Sequence, residues 1–108
     1  MEKSVSIYDL NIISDALPQI TPAMVLLNVF MYLSDQTNVI RTSKNELAKA
    51  LGKSRRTIAS WIIALCKAGA IKYKYSGLAH LNPLFYFKGT EENFKKAKLE
   101  YEKFKSDI

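Results

Sequence analysis

Histidine and cysteine are almost missing from this chain: among 108 residues there is one of each, His80 and Cys66. A single cysteine excludes an internal disulfide and suits a reducing compartment, so a cytoplasmic protein is expected. A single histidine supports no His-rich metal site, and it cannot supply the His pair that a DNA-nicking enzyme sets beside its catalytic tyrosine. Cys66 has no second group placed to activate it as a nucleophile. Glycine is scarce as well: the four present are isolated, so there is no Gly-rich loop to cradle a phosphate. The longest apolar stretch, AMVLLNVFMYL, is interrupted by Asn28 and is too short to span a bilayer. The N-terminal MEKSVSIYDLNIISDALPQI lacks the basic start and long apolar run of an export signal. These absences lead to the expectation of a soluble protein with no membrane span, no cofactor, no metal and no catalytic residues.

What is present is charge, and its position is uneven. The net charge is +6. Residues 91–108 hold five lysines and five acids and cancel, so the excess lies in residues 1–90. Between residues 41 and 74 nine basic side chains (Arg41, Lys44, Lys49, Lys53, Arg55, Arg56, Lys67, Lys72 and Lys74) stand against Glu46 alone. A basic face kept only for solubility is the plain reading; an anionic partner is the sharper one.

Apolar residues make up 48% of the chain, which fits one domain with a modest core over residues 1–108. Residues 1–20 form an N-terminal arm in which Val5, Ile7, Leu10, Ile12 and Ile13 allow a short strand or a short helix before Pro18. Thr21 as a cap and Pro22 in the first turn then predict a helix over AMVLLNVFMYLSDQ, apolar on most sides. NVIR is a short strand candidate. Ser43 and Glu46 form an S-x-x-E capping box that starts a helix over KNELAKAL, with Leu47, Ala50 and Leu51 turned inward and Gly52 as its stop. Ser54 caps the next helix, RRTIASWIIALCKA, which ends at Gly69 and turns Ile58, Trp61, Ile62 and Leu65 to the core. AIKYKY alternates, SG is a turn signal and LAHLN returns, which predicts a hairpin. The order gives a mainly α fold with a small antiparallel β-hairpin: a winged helix-turn-helix with an N-terminal extension and a C-terminal helix.

That last helix is read over TEENFKKAKLEYEKFKSDI. Phe94, Ala97, Tyr101, Phe104 and Ile108 recur at spacings of three, four, three and four, like one face of a coiled coil. Two readings stay open: the stripe packs back on the protein's own N-terminal helix, or it is the seam of a homodimer.

In a helix-turn-helix the second helix enters the major groove, with its N-terminal residues nearest the bases. Here those are Ser54, Arg55, Arg56, Thr57, Ala59, Ser60 and Ile63. Arginine offers two N–H groups to the O6 and N7 of guanine, Thr57 and Ser60 can bond a phosphate or a base edge, and Ala59 lets the helix approach. Ile63 is apolar at an exposed position, suited to thymine methyls or to a partner protein. Thr42, Ser43 and Lys44 stand at a helix start, Lys49 and Lys53 flank the turn, and Lys72 and Lys74 share one face of the wing; all are expected on phosphates.

From TSKNELAKALGKSRRTIASWIIALCKAGAIKYKYSGLAHLNPLFYFKG, over roughly residues 22–90, the chain resembles the RepL-type plasmid replication proteins of Gram-positive bacteria. The more specific part is the ending LNPLFYFKG, with Asn82, Pro83, Phe85, Tyr86, Phe87, Lys88 and Gly89. The resemblance implies binding to a plasmid origin in double-stranded DNA and recruitment of host replication proteins, without catalysis. A relative with another plasmid or phage task, such as partition or transcriptional control, is the alternative within that resemblance; the residues themselves leave open a transcriptional repressor of the same fold and a winged helix used for protein interaction.

Overall fold

In a computed structural model the structure describes residues 5–7 and 21–108. Strand β1 (Val5–Ile7) is followed by a 3₁₀ turn over Thr21–Ala23, helix α1 (Met24–Leu33), strand β2 (Val39–Arg41), helices α2 (Lys44–Leu51) and α3 (Arg55–Lys67), strands β3 (Ile71–Lys74), β4 (Leu78–Leu81) and β5 (Phe87–Gly89), and helix α4 (Glu91–Lys103). The architecture is mixed α/β: four helices with a three-stranded antiparallel sheet in the order β2-β4-β3 and a separate two-stranded pair of β1 with β5. The other expectations over residues 1–4 and 8–20 lie outside the described residues.

Helix α1 carries no charge and buries Leu26, Leu27 and Phe30. It ends at Leu33, three residues before the expected end, because Ser34 turns extended and Asp35 accepts from the backbone N–H and the hydroxyl of Thr37 at 2.8 and 2.6 Å. A short side chain that bonds the backbone two residues ahead favours a turn over a helix. Helix α2 starts at Ser43, whose Oγ accepts from the Glu46 N–H at 3.1 Å and donates to its carboxylate at 3.2 Å. Gly52 ends it in the left-handed conformation, φ 64°. Its inward residues are Leu47 and Ala48, with Leu51 half-buried; Ala50 is exposed, contrary to expectation. Eight residues make little more than two turns, and position 48 rather than 50 falls on the face that meets α3.

Ile58, Ile62 and Leu65 of α3 are fully buried and Trp61 packs half-buried at their side. Opposite them the inner face of the sheet supplies Ile40, Ile71, Tyr73, Ala79 and Leu81. Lys72 pairs with His80 and Tyr73 with Ala79 across β3 and β4, so alternate residues face away from this core. The sheet is one strand larger than a hairpin because β2 pairs with β4, Val39 opposite His80.

The LNPLFYFKG segment closes the core. The Asn82 Nδ2 donates to the Gly69 carbonyl at 2.8 Å and its Oδ1 accepts from the Leu84 N–H at 2.9 Å, while its carbonyl accepts from Phe85 at 2.9 Å. Pro83 follows in a turn that needs no N–H there. Phe85 then drops into the helical core at 4% exposure, and the buried Asn38 Nδ2 holds the Tyr86 carbonyl at 2.8 Å.

Helix α4 does not reach residue 108. It ends at Lys103, and residues 104–108 run along the outer edge of β3: the Asp107 N–H donates to the Tyr73 carbonyl at 2.8 Å, the Ser106 Oγ accepts from the Tyr73 N–H at 3.0 Å, and the Asp107 carboxylate accepts from the Tyr75 N–H at 2.8 Å. The tail thus satisfies backbone groups that a sheet edge would leave open.

Candidate nucleic-acid interface

Ser54 fixes the start of α3. Its Oγ accepts from the Thr57 N–H at 3.1 Å and donates to the Thr57 hydroxyl at 3.0 Å. Capping sets the first turn outward: Arg55 and Arg56 are exposed, and down the same side come Ser60, Ile63 and Lys67, all exposed, with Ala59 half-buried beside them. Lys49 and Lys53 are exposed around the α2–α3 turn, where Asn45, Ala48, Lys49, Gly52, Lys53 and Arg55 line a shallow cavity of about 420 Å³. Among the described residues the ion pair that forms is Lys96 with Glu92, at 3.9 Å on α4. The side chains of Arg41, Lys49, Lys53, Arg55, Arg56 and Lys67 therefore form no ion pair among the described residues, and against them the surface of α2 and α3 sets Glu46 alone. Such a surface, with a large excess of positive charge, suits a polyanion.

The expected phosphate contacts divide into two groups. Ser43 is spent on its cap, and Thr42 is buried, its N–H donating to the Gly77 carbonyl at 2.8 Å. Lys44 lies with its Nζ 5.0 Å from the Tyr75 ring centre and 5.8 Å from that of Tyr73, beside the turn between β3 and β4. Tyr75 itself is 65% exposed.

Lys72 and Lys74 are turned the other way. The Lys72 Nζ donates to the Tyr101 carbonyl at 2.7 Å and sits 4.5 Å from the Tyr101 ring centre; the Lys74 Nζ is 4.8 Å from that of Phe104. The Tyr101 carbonyl belongs to the last turn of α4, where the helix dipole and unpaired carbonyls favour a cation. Both lysines are on one face, as the alternation required, but that face meets α4 rather than open solvent. Their cations are thus placed against the C-terminal helix and the residue that follows it.

The same geometry accounts for the apolar stripe of α4. Ala97 is 2% exposed, Phe94 meets the edge of Phe87 at 5.4 Å, and Tyr101 and Phe104 meet the ring of His80 edge-on at 5.2 and 5.6 Å. The stripe covers the outer face of the sheet, not the N-terminal helix. His80 is 1% exposed beneath it, and burial pushes its pKa below the ordinary imidazole value. Burial pushes the Cys66 thiol up to about 11, so it stays protonated at neutral pH. Among the described residues no helix is long and apolar enough to cross a membrane, and no group of three His, Cys, Asp or Glu side chains is placed to hold a metal ion.

A family model for RepL, the Firmicute plasmid replication protein, matches residues 20–108. The chain belongs to the RepL family. Searches of curated proteins and of solved structures gave no match. The family match runs through α4 and the tail, beyond the stretch that carried the resemblance. Arg41, Lys67 and Tyr75 are exposed on this surface and were not among the contacts expected from sequence. Lys67 was legible, because it stands four residues beyond Ile63 on the same helix face. Tyr75 was not, because its exposure follows from how the hairpin turns at Gly77.

Proposed function

We propose that this RepL-family protein is a winged helix-turn-helix that binds double-stranded DNA at a preferred sequence and acts in plasmid replication or maintenance. The observation that carries this reading is the exposed side of α3, with Arg55 and Arg56 projecting from a capped first turn and no carboxylate nearby among the described residues. In this reading α3 lies in the major groove, where the arginines meet guanine edges or phosphates. Lys49 and Lys53 hold the backbone on one side of the helix, and Arg41, Lys44 and Tyr75 hold it near the wing turn. Host replication proteins are the further partners proposed. Pairing of two copies on a repeated or palindromic site belongs to the same proposal, with a seam other than the α4 stripe, whose side chains are already committed to the sheet.

Fluorescence anisotropy with fragments from around the protein's own gene, against a scrambled duplex, tests the reading. One fragment is expected to bind far more tightly than the control, and its place in an origin or over a promoter separates replication from repression. Equal, weak binding to every duplex removes sequence preference. Retained activity of an Arg55→Ala, Arg56→Ala variant moves the function to protein interaction.

A further inference from the structure

Ile63 is 40% exposed in the middle of a basic stripe, and the core does not need it, since Ile58, Ile62 and Leu65 already fill the buried face of α3. We infer that Ile63 reads the C5-methyl of a thymine, further along the major groove than the position that Arg56 reaches. The inference rests on the DNA-binding reading above and adds which base feature α3 selects.

The geometry is that of one helix face. Arg56, Ser60, Ile63 and Lys67 are all exposed and follow at spacings of four, three and four. With about 100° per residue, Ile63 lies about 20° round the axis from Arg56. With a rise of about 1.5 Å per residue it is about 10 Å further along the helix, so the two side chains meet different base pairs. Ala59 beside the stripe adds little bulk between the backbone and the groove floor. An isoleucine gains nothing from a phosphate or from a donor or acceptor on a base edge. The thymine methyl is the apolar feature that the major groove presents. A protein-docking site calls for a contiguous apolar patch, whereas Ile63 is flanked along its stripe by Ser60 and Lys67.

The test begins with the full chain and a pool of randomised duplexes, from which the preferred duplex is recovered by repeated selection. Each thymine in it is then replaced singly by deoxyuridine, which removes the methyl and leaves pairing intact. The expected result is one position per bound copy where the replacement weakens wild-type binding about fourfold, the effect of one buried methyl. Ile63→Ala is expected to bind the thymine and deoxyuridine duplexes equally. Position 63 is exposed and alanine favours helix, so the variant keeps its fold, which its urea midpoint checks. If the wild type selects a duplex but no deoxyuridine replacement matters, the inference is wrong while DNA binding stands. If Ile63→Ala still distinguishes the two bases, another group reads the methyl and the inference is again wrong. If no duplex is selected at all, the underlying DNA reading fails and the inference falls with it.

Discussion

The placement of Lys72 and Lys74 gives a prediction in the salt dependence of DNA binding. Each phosphate neutralised by the protein releases counterions, and the slope of log K against log salt falls by about 0.9 per contact on duplex DNA. Of the nine basic side chains between residues 41 and 74, six are exposed and unpaired among the described residues: Arg41, Lys49, Lys53, Arg55, Arg56 and Lys67. Lys44, Lys72 and Lys74 are half-buried against aromatic rings. If those six and Lys44 reach phosphate, the slope is about −6; if Lys72 and Lys74 do as well, it is about −8. Replacing Arg55 and Arg56 together by glutamine is expected to make the slope shallower by about two, less if one of them bonds a base. Lys74→Gln is expected to leave the slope alone and lower the urea midpoint, since its cation sits over Phe104. The assay is anisotropy on the preferred duplex across a series of KCl concentrations. A wild-type slope near −8, or a Lys74→Gln slope reduced as much as that of a single arginine variant, would refute the reading that Lys72 and Lys74 of β3 serve the C-terminal helix rather than phosphate.

Three further outcomes follow from packing. Asn82→Ala removes two side-chain hydrogen bonds, to the Gly69 carbonyl and from the Leu84 N–H, and is expected to cost about 2 kcal/mol in urea unfolding; a negligible change would show that the Pro83 turn holds without them. Gly77 has φ 95°, and a Cβ there would lie 3.3 Å from the Thr42 carbonyl oxygen, so Gly77→Ala is expected to cost at least about 1 kcal/mol, again by urea unfolding. His80 binds its proton less readily in the folded chain than in the unfolded one, because burial and then the Lys72 cation outweigh the Leu81 carbonyl and Glu100. The unfolded chain therefore takes up more protons, and stability present above pH 6.5 is lost as the pH falls below that value toward the lower folded pKa. His80→Phe is expected to flatten this acid loss in urea midpoints measured over the range, and an undiminished loss in that variant would assign it to other groups.

Much of this was written in local sequence. Ser43 with Glu46, Gly52 and Ser54 mark the two helices and their turn through bonds that reach no more than four residues, so they are legible wherever they occur. Ile58, Ile62 and Leu65 declare the buried face of α3 by spacing alone, and with it the exposed face that bears Arg55, Arg56 and Ser60. Alternation put Lys72 and Lys74 on one side of a strand for the same reason. Which way that side faces depended on residues about thirty positions away: α4 lays Ala97, Tyr101 and Phe104 over His80, and the tail at Ser106 and Asp107 bonds the edge of β3. No pattern inside the hairpin encodes that cover. The apolar stripe of α4 was equally plain in sequence, but a stripe specifies only that something apolar must meet it. The choice between a second copy, the first helix and the sheet is made by which surfaces lie within reach once the chain has folded. In this chain the nearest was the outer face of its own sheet.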